Sequence, residues 1–252
     1  MSVTSTVQSM ASNSWEENGT TCFTVSCKFG FILCEAEHAV FHRYDGQDAL
    51  IVAVDVDDLT MASNSKDMIH TFKDELCTVL KIKDIGDLNW LLGIEVKWDY
   101  EMCTISLSQC AYIKKILERF NLQDANPLGT LLDPHHKLSL SQSPSTPRQF
   151  DNMHNVPYRE AIRSLMYAAL GTCPNISFTV SFLVQFMQNP GRLHWEAVKQ
   201  VFHYLKGTKG MCLIICRSQG GLEAYSDADW ALQEHQHSIS EYVFTIDGGA
   251  VS

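Results

Sequence analysis

The sequence predicts an α+β fold, and three observations predict it. Two apolar runs flank a cluster of aspartates between residues 49 and 62, apolar residues then recur at helical spacing through several long segments, and the C-terminal residues return to short strand-like runs.

Residues 49–54 (ALIVAV) form an apolar run of strand length, and residues 59–62 (LTMA) form a second. Asp55, Asp57 and Asp58 lie between them, so the pattern reads as a β-hairpin with carboxylates at its tip. Ser65 stands where a helix N-cap belongs, and Ile69, Phe72, Leu76, Val79 and Leu80 then share one face. Residues 88–96 and 104–107 read as strands. A second helix opens at Ser108, with Tyr112, Ile113, Ile116, Leu117 and Phe120 as its apolar stripe and Lys114, Lys115 and Arg119 facing away. Residues 124–157 hold five of the chain's seven prolines, which predicts a long tether between separately packed units. Helical patterns return at 158–170, 176–187 and 194–205, the last with Trp195, Val198, Phe202 and Leu205 inward. Strand-like pieces at 211–216, 222–226 and 242–246 follow. Residues 1–23 are rich in Ser, Thr and Asn without a period and are expected to form a disordered leader.

Composition narrows the classes. With 252 residues, 45% hydrophobic and 19% charged, the chain has ordinary globular usage and can bury a core. No run of 18 apolar residues is present, so no membrane span is expected. The first residues lack a basic start and an apolar block, and nine cysteines without a CxxC pair suit reduced thiols; together these predict an intracellular, cytoplasmic or nuclear, protein. The net charge of −10 argues against a free-standing nucleic-acid binder, because phosphate contacts from Lys and Arg dominate such affinity. Cys22, Cys27, Cys34, His38 and His42 stand at spacings unlike those of common zinc fingers.

Adjacent aspartates at a hairpin tip repel one another. A divalent metal is one reason for a chain to accept that cost: nucleotidyl transfer commonly uses two Mg²⁺ ions about 3.5–4 Å apart. The other reading is a solvated turn, since Asp is a common turn residue.

The surrounding residues decide between the two. VAVDVDDLTMASNS resembles the Tyr/His-Val-Asp-Asp hairpin of reverse transcriptases, with flanks similar to the Ty1/copia retrotransposon class. IKDIGDLNWLLGIEV is similar to the segment holding the primer-grip hairpin in that family, and LSQCAYIKKILERFNLQDANP to the helix after it. The stretch from VPYREAIRSLMYAALGTCPNISF to HWEAVKQVFHYLKGTKG resembles the connection towards the RNase H domain, and GLEAYSDADWA the first strand of that domain. The resemblance covers residues 28–252 roughly, with its blocks in the family's order.

What it implies is an incomplete polymerase palm with the acidic β-hairpin, a helical thumb and connection, and a truncated RNase H-like β start. The corresponding boundaries are 24–125 for palm and thumb, 126–157 for the tether, 158–217 for the helical connection and 218–252 for the RNase H-like segment. By resemblance Asp57 binds the catalytic Mg²⁺ ions, Asp58 supports the site, and Asp227 matches the first metal-binding Asp of RNase H. The family's other palm carboxylate and its fingers are expected upstream of Thr24, and the later RNase H ligands beyond Ser252. The implied partner is an RNA/DNA template–primer, bound weakly or not at all by so acidic a chain. The resulting expectation is a fragment of an RNA-directed DNA polymerase that is inactive alone. A non-catalytic interaction protein and a ribonuclease H hydrolase are the alternatives. Asp55 stands where the family has Tyr or His, Cys173 and Asn175 where it often has Arg and Asp, and Arg163 and Glu241 where it often has Gly.

Overall fold

The computed structural model describes residues 3–9, 29–55, 58–80, 82–132, 138–216, 221–229 and 239–251, and the chain divides into two compact units, Met1–Asn89 and Trp90–Ser252.

The first unit is an antiparallel sheet with one helix on it. Its strands are β1 (Val3–Ser9), β2 (Ile32–Leu33), β3 (Val40–Asp45), β4 (Asp48–Asp55), β5 (Asp58–Ser63) and β6 (Ile82–Asp87), in the order β2-β3-β4-β5-β1-β6. Helix α1 (Lys66–Cys77) lies between β5 and β6 in sequence. The two runs read as strands alternate with period two: Leu50, Val52 and Val54 on β4 and Leu59 and Met61 on β5 point into one core. Ile69, Phe72 and Leu76 of α1 complete it, as their helical spacing predicts. Arg43 fastens helix to sheet. Its guanidinium donates to Phe29 O (3.0 Å) and Glu75 Oε2 (3.2 Å) and lies 5.0 Å from the Phe31 ring centroid. Ser65 occupies the N-cap position of α1 but makes no side-chain cap bond; its own backbone N–H donates instead to Ser63 Oγ.

The expectation of a disordered leader over residues 1–23 fails at Val3–Ser9. That segment is β1, hydrogen-bonded between β5 and β6. Its sequence VTSTVQS is rich in β-branched residues, and two flanking strand edges supply the pairing that composition alone does not show.

The second unit begins with β7 (Trp90–Leu91), β8 (Ile94–Asp99) and β9 (Thr104–Ser108), which with β10 (Leu213–Cys216) form a sheet in the order β10-β9-β8-β7. Its helices are α2 (Cys110–Arg119), α3 (Pro147–His154), α4 (Tyr158–Gly171), α5 (Ser177–Val184) and α6 (Arg192–Thr208). A further sheet, β11 (Leu222–Asp229), β12 (Ile239–Ile246) and β13 (Gly249–Ala250), follows. One core joins Ile113, Ile116 and Leu117 of α2 to Ile162 and Leu165 of α4 and to Val198, Phe202 and Leu205 of α6. Phe202 is fully buried and Trp195 half-buried against that core, so the aromatic residues of α6 serve packing.

This arrangement corrects the tether. The chain divides between Asn89 and Trp90, and the described residues of 126–157 belong to the second unit, where several of them bond to α6. His203 Nδ1 contacts Asn126 O (2.6 Å), Gln200 Nε2 donates to Thr130 O (3.3 Å) and Lys206 Nζ donates to Ala125 O (2.6 Å). Leu131, Leu132 and Leu138 pack on the core, and α3 is a helix within the tract. Prolines exclude a continuous helix there, yet they leave carbonyl groups free to accept bonds from α6 side chains.

His194 locks the far end of this tract. It is fully buried, and its ring stacks on Phe186 with centroids 3.9 Å apart. Nδ1 accepts from Gly191 N–H (2.9 Å), so Nε2 carries the proton and donates to Ser139 O (3.1 Å). Burial holds the imidazole below its ordinary value of 6.5. A depressed folded value means that the neutral ring's contribution is complete above 6.5 and is lost as pH falls towards the folded value. The urea midpoint of the parent should therefore fall more steeply below 6.5 than that of His194→Gln. Parallel midpoints across that range would refute the assignment.

Candidate functional site

The β4–β5 turn carries the acidic residues. Asp55 and Asp58 are direct partners in the register, following Val54 opposite Leu59. Side chains of such cross-strand pairs share a face with Cβ atoms about 4.5–5.5 Å apart, so two carboxylates there repel. Asp55 is exposed, whereas Asp58 is half-buried, and its Oδ1 is buried with no hydrogen-bond partner among the described residues. Asp57, the residue placed on the metals by resemblance, lies with Val56 outside the described residues.

An orphaned carboxylate oxygen has the chemistry of a cation ligand. A two-metal centre asks for more. Its carboxylates come from separate places in the chain, and the neighbour of β5 on its other side is β1, where Gln8 is the register partner of Asp58. No Asp or Glu occurs in Val3–Ser9. Among the described residues no group of three or more His, Cys, Asp and Glu side chains is placed to hold a metal ion. The described residues do not by themselves fit a pair of Mg²⁺ ions.

Asp227, the RNase H-type candidate, lies exposed on β11. Its register partner on β12 is Glu241, within the β11-β12-β13 sheet of the second unit. Cys34, His38 and His42 belong to no metal-binding group among the described residues, and Cys22 and Cys27 lie outside them.

The segment that resembles the primer-grip hairpin is a hairpin here, and the single strand expected over 88–96 is broken into β7 and β8 by its tip. Leu91 pairs with Ile94, which leaves a two-residue turn of Leu92 (φ 51°) and Gly93 (φ 77°). Positive φ at both positions is the sign of a type I′ turn, whose usual residues are Asn-Gly. Leucine there strains the backbone by roughly 1–2 kcal/mol. A hydroxyl offsets part of that: Tyr167 of α4 donates to Leu92 O, and such a bond contributes about 0.5–1.5 kcal/mol. Tyr112 in turn packs edge-on against Tyr167 with centroids 4.7 Å apart, and its own hydroxyl donates to Ser164 O (3.1 Å). Burial pushes the Tyr112 phenol above its ordinary value. The turn presents Trp90 at 53% and Leu92 at 59% exposure. Nothing in Leu-Leu-Gly marks this turn in the sequence except its two-residue length between apolar runs.

Comparison with known proteins places this geometry. Residues 8–133 match the family model described as reverse transcriptase (RNA-dependent DNA polymerase), so the match begins inside β1. The chain is 38% identical over 213 residues to a retrovirus-related Pol polyprotein from transposon TNT 1-94 of Nicotiana tabacum, covering 84% of this chain and 16% of that protein. It is 30% identical to the putative transposon Ty5-1 protein YCL074W of Saccharomyces cerevisiae, over 89% of this chain and 71% of that one. It is 41% identical over 102 residues to secreted RxLR effector protein 161 of Plasmopara viticola, over 40% of this chain and 72% of that one. The chain thus spans a small share of the Pol polyprotein and most of the length of two short relatives. No solved structure matches. No helix among the described residues is long and apolar enough to cross a membrane. With half of its length matched and a two-thirds share of short relatives covered, the chain belongs to the reverse transcriptase family, in its Ty1/copia retrotransposon branch.

Proposed function

We propose that the chain is a fragment of a retrotransposon RNA-directed DNA polymerase that binds RNA/DNA template–primer without extending it. The observation that carries this reading is the acidic β4–β5 turn, with the unpartnered Asp58 Oδ1, beside a strand that supplies no carboxylate. In this reading the first unit is the palm portion, Asp57 and Asp58 are its remaining metal carboxylates, and the helices of the second unit are thumb and connection. Asp227 and the sheet around it are an RNase H-like start.

Charge distribution supports the partner. Residues 1–89 hold six Lys and Arg against fourteen Asp and Glu, whereas residues 90–216 hold twelve against nine. The net −10 is thus an average that hides a basic middle, and Lys114, Lys115 and Arg163 lie exposed within it. Fluorescence anisotropy with a labelled primer on an RNA template should give a dissociation constant of about 1–100 μM at physiological salt, the range of sequence-independent binding. Its logarithm should rise with log salt at a slope of about 3, and a Lys114→Ala/Lys115→Ala variant should reduce that slope by about 2. No binding at 50 mM salt would defeat the reading.

A second reading, a non-catalytic interaction protein, draws support from the 41% identity to a protein named as a secreted effector. The same titration separates the two, since that reading requires no affinity for template–primer.

A further inference from the structure

We infer that Tyr167 is a positioning residue: its hydroxyl holds the Leu92-Gly93 turn in the left-handed conformation that aims Trp90 and Leu92 outward, and so couples α4 to the hairpin tip. This rests on the reading above, in which the second unit contacts template–primer.

Four observations meet at this point. Leu92 has φ 51°, a region that a branched side chain leaves when nothing restrains it. The restraint comes from Tyr167, 75 positions along the chain, through its bond to Leu92 O. The same hydroxyl borders Gly93, where an added Cβ would stand in ordinary van der Waals contact with it at 3.6 Å. Tyr167 is itself fixed, by the edge of Tyr112, whose hydroxyl is tied back to α4 at Ser164. A strained turn held by a distant side chain, with its apolar residues left exposed, serves presentation rather than core packing. Core burial would have turned Leu92 inward; here it is more than half exposed, beside an exposed Trp90. The Tyr167 side chain thus sets which way the hairpin residues face, while α4 supplies the exposed Arg163 one turn earlier on the same helix side.

The test is a double-mutant cycle on the full chain, with Tyr167→Phe, Leu92→Gly and both together. Tyr167→Phe keeps the ring and removes the donor. Leu92→Gly removes the left-handed penalty, so a turn with glycine there has no need of the hydroxyl. Two readouts are taken: hydrogen exchange of the Gly93 amide in the free protein, and anisotropy with the labelled primer on its RNA template. Tyr167→Phe should speed exchange at Gly93 about tenfold and weaken template–primer binding about threefold to tenfold, with a thermal midpoint lowered by about 2–4 °C. In the Leu92→Gly background the same substitution should change neither. Unchanged exchange in Tyr167→Phe, or equal effects in both backgrounds, would overturn the inference. Trp90→Ala tests the reading beneath it. If that variant binds template–primer as the parent does, the hairpin does not touch nucleic acid and the positioning role falls with it, whatever the exchange data show of the turn itself.

Discussion

Gly191→Ala is expected to lower the free energy of unfolding by about 3 kcal/mol, the upper end of the range for overpacking. Gly191 caps α6, is buried, and has φ −91°, so its backbone angle is open to any residue. Space is what it lacks. An added Cβ would stand 2.0 Å from Gln142 O and 3.0 Å from Gln142 C. Both are backbone atoms, so no flexible side chain swings aside and the turn at Leu140–Gln142 itself must move. That movement also strains the bond from His194 Nε2 to Ser139 O and the bond from Asn189 Nδ2 to Pro144 O. Leaving a buried imidazole N–H unsatisfied costs about 1–3 kcal/mol by itself. Gly210→Ala is the control, because nothing lies within 4 Å of a Cβ there; a change within about 0.5 kcal/mol is expected of it. Equal urea midpoints for the two variants would show that the turn does not pack against α6 as described.

That same contact shows where sequence reading stops. The period-two runs at 49–54 and 59–62 and the helical stripes of Ile69, Phe72 and Leu76 and of Ile113, Ile116 and Leu117 were legible, because burial on one face imposes its period on the residues themselves. Val3–Ser9 was not. Its strand depends on the edges of β5 and β6, which are remote in sequence, and Ser and Thr content pointed to disorder. Proline density likewise concealed that the carbonyls of Ala125, Asn126 and Thr130 bond to side chains of α6. At the candidate site the acids were legible as a hairpin tip, and the structure adds the register of Asp55 and Asp58. The Tyr167–Leu92 bond joins residues 75 apart, and no local pattern announces it. The net charge is a single total and does not show that acids and bases occupy different stretches.

No extension of a DNA primer on an RNA template is expected from the 252-residue chain, with either Mg²⁺ or Mn²⁺, and Asp57→Asn should be indistinguishable from the parent. In-line displacement needs two ions that hold the attacking and the leaving oxygen at once, and each ion asks for near-octahedral oxygen ligands. The acidic turn offers Asp55 and Asp58 as an adjacent pair across β4 and β5, with Asp57 between them in sequence. All three lie within the four consecutive residues 55–58. The strand on the other side of β5 presents Gln8 at the position paired with Asp58, and an amide neutralises no charge on a metal. Asp55 does not substitute for a carboxylate on that side, because it belongs to β4, across β5 from β1. Even outer partners of a metal site are each worth about 10–100-fold in affinity or activity, so a neighbouring strand without a carboxylate should cost at least as much. Cleavage of an RNA–DNA hybrid should be absent for a related reason: Asp227 faces Glu241 in the register, far along the chain from the hairpin acids, and the described residues assemble no group of three metal-binding side chains around it. The assay is decisive when template–primer binding is measured on the same sample, since a chain that binds and does not extend separates the two properties. Extension by the parent that disappears in Asp57→Asn would sink the prediction and would mean that another carboxylate completes the site.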